Sequence, residues 1–127
     1  MRRILEYYLQ IWRREAARKS LLIRGARQVG KTFTIRKFAE NFENLVEVNF
    51  ERNPHLATLF DRDLDPHRIA RDLAMALGVR IVPGRTLLFL DEVQQVPRVV
   101  TALRYFHEDM PELHVVAAGS LIEFAVE

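Results

Sequence analysis

The apolar positions of this chain fall into short blocks whose spacing changes from one block to the next. Over residues 3–18 they recur at helical intervals. Ile4, Leu5, Tyr8, Leu9, Ile11 and Trp12 form a wide apolar face, opposite Arg13, Arg14 and Glu15, which predicts an amphipathic helix. Residues 20–24 make a short apolar strand, and helical spacing returns from Lys31 to about Phe42, with Ile35, Phe38, Ala39 and Phe42 on one side. Residues 45–50 alternate. Val46, Val48 and Phe50 point one way and Glu47 and Asn49 the other, as in a half-exposed strand. Residues 86–92 and 114–120 do not alternate, and their continuous apolar runs suit parallel strands covered on both faces.

Turn and cap residues divide these blocks. Asn53-Pro54 and Asp65-Pro66 each read as an N-cap followed by a first-turn proline. The second pair opens a helix through Ile69, Leu73 and Leu77 that Gly78 stops. Pro83-Gly84 turns into the next strand. Pro97 starts a helix with Val99, Val100, Leu103 and Phe106 inward, and Pro111 lies just beyond its end. Strands alternating with helices require right-handed crossovers, so the expected class is α/β, a three-layer αβα sandwich on a parallel sheet.

Composition narrows this picture only modestly. With 127 residues and about half of them apolar, the chain is expected to be a single domain, long enough for a real core. No apolar run reaches the ~18 residues of a spanning helix. The basic start lacks the uninterrupted apolar core and cleavage site of a signal peptide. The absence of cysteine excludes disulfides and thiolate metal sites and fits a cytoplasmic location. The net charge is +2. The cluster Arg13, Arg14, Arg18 and Lys19 reads as a solvated helix face, with nucleic-acid or nucleotide contact as the alternative.

The chemistry lies at the ends of the strands. Gly25-Ala26-Arg27-Gln28-Val29-Gly30-Lys31-Thr32 matches G-x-x-x-x-G-K-[ST] without deviation. Four fixed positions of this kind arise by chance on the order of once in a few hundred chains of this length. A loop that leaves a strand and wraps into a helix N-terminus aims its amide hydrogens inward and makes an anion nest. Gly25 and Gly30 permit that backbone course, Lys31 reaches the outer phosphates, and the Thr32 hydroxyl ligates Mg²⁺. Ala26, Arg27, Gln28 and Val29 fill the loop. G-x-G-x-x-G is absent, so a dinucleotide fold is not supported.

Asp91 ends the apolar strand and suits a Mg²⁺ site, and Glu92 is placed to orient or deprotonate an attacking water. Ser120 follows the last strand, where it can touch the γ-phosphate or the water, can cap the following helix, or can do both. His55, His67, His107 and His114 show no metal-ligand spacing and read as surface or loop residues. Gln94 and Gln95 read as loop hydrogen-bonders, with water positioning as the alternative. Tyr7, Tyr8 and Trp12 are expected to pack the first helix on the body, with adenine stacking by one of them as the alternative.

The strings GARQVGKT, LLFLDEVQ and HVVAAGS resemble the AAA-type P-loop ATPases of bacteria and archaea that usually carry a further C-terminal domain of unknown function. The resemblance covers nearly the whole chain. It implies ATP as the nucleotide, residues 25–32 as Walker A, Asp91 and Glu92 as Walker B, Ser120 as sensor-1, and strand order 5-1-4-3-2. It also implies a fifth strand, a helical lid and a sensor-2 arginine beyond Glu127, so residues 1–127 are expected to be a domain truncated before them, or a chain whose missing strand comes from a partner. A homo-oligomer supplying an arginine finger is the partner it suggests. Arg98 and Arg104 are better read as salt-bridged surface residues. Two rival functions remain: an ATP-dependent switch that binds nucleic acid, and a small-molecule kinase, for which no acceptor pocket or arginine-bearing lid is visible.

Overall fold

The structure is a computed structural model that describes residues 2–15, 18–23 and 29–119, with Arg2, Arg3 and Val29 described by backbone alone. The elements are α1 (Arg2–Arg14), β1 (Leu21–Ile23), α2 (Val29–Phe38), β2 (Asn44–Asn49), α3 (Pro66–Leu77), β3 (Thr86–Asp91), α4 (Pro97–Asp109) and β4 (His114–Ala118). Single 3₁₀ stretches at Ala39–Asn41, Pro54–Phe60 and Val93–Gln95 connect them. The four strands are parallel in the order β1-β4-β3-β2, the order that the family resemblance implied for these four. Gly119, at the exit of β4, closes the pattern by donating its N–H to the Ile23 carbonyl at 3.1 Å.

Burial follows the predicted division between central and edge strands. Every residue of β3 and β4 is buried, whereas β2, at the edge, alternates with Val46 and Val48 inward. One face of the sheet packs against α1 and α2 through Leu9, Trp12, Ile35, Phe38, Phe89 and Val116. The other packs against α3, α4 and the 54–60 stretch through Phe50, Phe60, Ile69, Leu90, Phe106 and Val115.

Several local expectations need correction. Pro54–Phe60 is a 3₁₀ stretch, not an α-helix, and the Asn53 side chain does not cap it. The turn closes at shorter range through backbone bonds from Leu56 to Asn53 and from Asp61 to Thr58. Two arginine side chains satisfy its terminal carbonyls, Arg68 at Leu59 and Arg98 at Phe60. By contrast, Asp65 does cap α3, accepting from the His67 N–H at 3.1 Å, and Gly78 ends that helix in the left-handed conformation at φ 65°. In α1 the inward line is Leu5, Leu9 and Trp12. Tyr7 and Tyr8 do not pack on the body as expected but stand 70% and 60% exposed, beside Ile4 and Ile11. The apolar face of this helix is wider than the contact it makes.

His114 is not a surface residue either. It begins β4 in the buried interior, with Trp12 and Phe42 set edge-on against its ring. Its Nε2 lies 3.2 Å from the Arg13 carbonyl, which can only accept, so the proton sits on that nitrogen. Its Nδ1 is buried with no hydrogen-bond partner among the described residues. Burial holds its pKa below the ordinary 6.5, and the charges of Arg18 and Arg13 add to this against the carbonyls of Arg13 and Glu112. The unfolded chain therefore takes up a proton at a pH where the folded chain does not. This part of the stability is complete above about pH 6.5 and is lost as pH falls through the lower folded value. Thermal melts from pH 7.5 to 5 are expected to fall more steeply for the native chain than for His114→Gln. Parallel curves would remove His114 as the cause.

Candidate functional site

Because the sheet is parallel and in register, its carboxyl-terminal edge is a single row of paired residues: Ile23, Ala118, Asp91 and Asn49. Each chain segment expected to carry chemistry leaves the sheet at this edge. Gly25, Ala26, Arg27, Gln28 and Ser120 lie outside the described residues, as does the Val29 side chain.

Gly30, Lys31 and Thr32 occupy the first turn of α2, which has no acidic residue to offset its exposed amides. Thr34, buried within the helix, returns its hydroxyl to the Gly30 carbonyl at 2.6 Å and anchors that turn. The Lys31 ammonium spans to the end of β4 and donates to the Gly119 carbonyl at 3.4 Å. The structure thus draws the lysine of the glycine motif to the strand end that precedes Ser120.

Asp91 is 7% exposed. Its Oδ1 accepts from the Glu92 N–H at 2.9 Å, and its carbonyl accepts from Phe50 at 3.1 Å, tying the end of β3 to the end of β2. Burial pushes its carboxyl pKa up. The neighbouring charges of Glu92 and Glu47 push the same way, while the Glu92 amide and the Lys31 ammonium oppose them. Asp91 and Lys31 are therefore electrostatic neighbours, although separate elements carry them. Arg36, one turn beyond Thr32, forks onto Glu47 of β2 at 3.0 and 2.8 Å and fixes α2 over this part of the sheet.

Glu92 is half-buried and departs from strand geometry, with φ 56° and ψ 44°. Its Oε1 accepts from Gln94 Nε2 at 2.6 Å. Nothing in the sequence signals a left-handed backbone at a glutamate, because the usual marker is glycine or asparagine. Gln95 is exposed. Arg98 is bound to the Phe60 carbonyl, and Arg104 lies 3.9 Å from Glu108 and over the Tyr105 ring.

Among the described residues no group of three His, Cys, Asp or Glu side chains is arranged to hold a metal ion. None of their helices is long and apolar enough to cross a membrane.

A parallel sheet whose strand ends bring together a lysine-bearing helix start and a buried carboxylate is the architecture of the P-loop nucleoside triphosphatases. Within that class the chain belongs to the AAA domain family, whose model matches residues 17–126. Nucleotide binding and ATPase-type activity are general to that family. The match begins after α1, so it rests on the sheet and the helices that position the site. No match was found among curated proteins.

Proposed function

We propose that this domain binds ATP with Mg²⁺ at the carboxyl edge of the sheet, hydrolyses it, and couples the energy to a partner. In this reading the loop from Gly25 to Thr32 wraps the phosphates and Lys31 steadies the outer two. Thr32 and Asp91 hold the metal, Glu92 orients and deprotonates the attacking water, and Ser120 contacts the γ-phosphate.

The observation that carries the reading is the state of Asp91. A carboxylate buried beside two other acids, with Lys31 as the opposing charge, is under-compensated. A hydroxyl and a carboxylate are hard oxygen donors, the kind Mg²⁺ takes, so the donor set suits that ion. When bound, the metal supplies charge neutralisation on the phosphates. Lys31, released from the Gly119 carbonyl, adds a second positive charge. An arginine from a neighbouring copy would complete the set.

The test is equilibrium binding of labelled ATP in the presence of Mg²⁺. Charge-assisted hydrogen bonds are worth about 1.5–3 kcal/mol, so Lys31→Ala is expected to weaken binding by about 10- to 100-fold. Equal affinity for the variant and the native chain would overturn the assignment of the loop.

A further inference from the structure

Four apolar side chains of α1 stay largely uncovered among the described residues. Ile4 and Tyr7 are each 70% exposed, Tyr8 60% and Ile11 46%. At about 100° of turn per residue they share a single arc of the helix, beside the inward line of Leu5, Leu9 and Trp12. They form one continuous stripe and not scattered exposures. The stripe presents on the order of 500 Å² of apolar surface, near the most that a monomer leaves bare. Gln10, Lys37, Glu40 and Asn41 line an open groove along one side of it, as a polar rim lines an interface. Helix α1 precedes the residues matched by the family model, and the stripe has no part in the nucleotide site.

The order of the stripe says what fits it. Ile4, Tyr7, Tyr8 and Ile11 read the same in both directions, an isoleucine on either side of a tyrosine pair at equal spacing. A two-fold axis crossing the helix between Tyr7 and Tyr8 therefore lays the stripe on a copy of itself. Ile4 of each copy meets Ile11 of the other, and Tyr7 meets Tyr8. We propose that two copies of this chain associate through this stripe, with their α1 helices packed antiparallel. Doubled across the axis, the apolar area reaches the roughly 1,000 Å² that separates a specific interface from a casual contact. Charge sets how tight the pair is. Antiparallel packing brings the end of α1 that carries Arg2 and Arg3 toward the end that carries Arg13 and Arg14. These ends repel, so the dimer is weak and tightens as salt screens them. A nucleic acid or an anionic bilayer drawn by the same arginines would bind less tightly as salt rises. The contact also differs from one in which a copy lends an arginine to the next, which is head-to-tail, and it does not depend on the nucleotide reading.

The experiment is sedimentation equilibrium of the chain over a range of protein and salt concentrations, with thermal melts run on dilute samples. The native chain is expected to dimerise with a Kd of about 10 µM, tightening severalfold between about 0.05 and 0.5 M salt. Ile4→Glu and Ile11→Lys, both at exposed positions, should each weaken the dimer about tenfold or more and leave the dilute melt unchanged. In its own dimer each new charge meets an isoleucine, twice. Mixed in equal amounts, the two variants set the glutamate of one copy against the lysine of the other, so the mixture should associate within about threefold of the native chain. Tyr7→Ser, which adds no charge, should weaken the dimer about fivefold and serves where either charged variant melts early. A chain that stays monomeric at about ten times the expected Kd would overturn the proposal. So would a dimer that Tyr7→Ser and the folded charged variants leave intact, a mixture that associates no better than its parts, or a dimer that salt dissociates.

Discussion

Glu92→Gln is expected to lower ATP turnover by about 10²–10⁴-fold while leaving ATP bound. The amide is nearly isosteric with the carboxylate and keeps an oxygen that can accept from Gln94, so the bond at Oε1 has a replacement. The backbone bonds that hold residue 92 in its left-handed conformation do not involve the side chain that changes. On the proposed reading, what is lost is the ability to take a proton from water. The measurement is single-turnover hydrolysis of labelled ATP, with retention of the nucleotide on the protein followed in parallel. Undiminished turnover would remove Glu92 from the mechanism, and lost retention would mean that the substitution disturbs the phosphate site instead.

The second large effect is on stability. Arg68 is 7% exposed and uses every arm of its guanidinium. Nε meets Asp63 at 2.9 Å, one terminal nitrogen meets Asp72 at 3.0 Å, and the other donates to the carbonyls of Leu59 and Asp63, both at 2.9 Å. One side chain thereby joins the end of the 54–60 stretch, the loop that follows it, and α3. Removing it strands two backbone carbonyls and two carboxylates. Breaking a fully buried pair costs about 3–5 kcal/mol, but here the two aspartates reach solvent and recover part of that. Arg68→Ala is therefore expected to destabilise the domain by about 2–4 kcal/mol, a fall in Tm of about 10 °C. Arg68→Lys should recover little, because one ammonium cannot span the same partners. A loss below about 1 kcal/mol in denaturant unfolding would show that the cluster is solvated in the folded chain.

The sheet was legible in the sequence because its signal is redundant. Leu87 to Leu90 and Val115 to Ala118 are apolar without interruption, and only a strand covered on both faces needs that. The alternation of Val46 and Val48 with Glu47 and Asn49 marked β2 as an edge for the converse reason. Helix α1 was harder. Its apolar residues span more of the circumference than one contact can bury, and periodicity does not say which margin faces in. The structure buries Leu9 and Trp12 and leaves Ile4, Tyr7 and Tyr8 out. His114 was misread because a single histidine carries no pattern, and its burial is a property of the strand it begins. At the site, the types and spacing of Lys31, Asp91 and Glu92 could be read directly. The bond from Lys31 to Gly119 could not, since it joins residues far apart in sequence. Nor could the left-handed backbone of Glu92, which depends on the burial of Val93 and not on the residue itself.

The strand that lies between β1 and β3 is β4, the last of the four to be made. A growing chain emerging from the ribosome carries the glycine loop first and the acidic pair later, yet the two have no shared scaffold until His114 to Ala118 has emerged and slid between them. If nucleotide binds where we propose, assembly of its site is therefore a late, long-range event. Nucleotide cannot template the early steps of folding and can only lock the finished product.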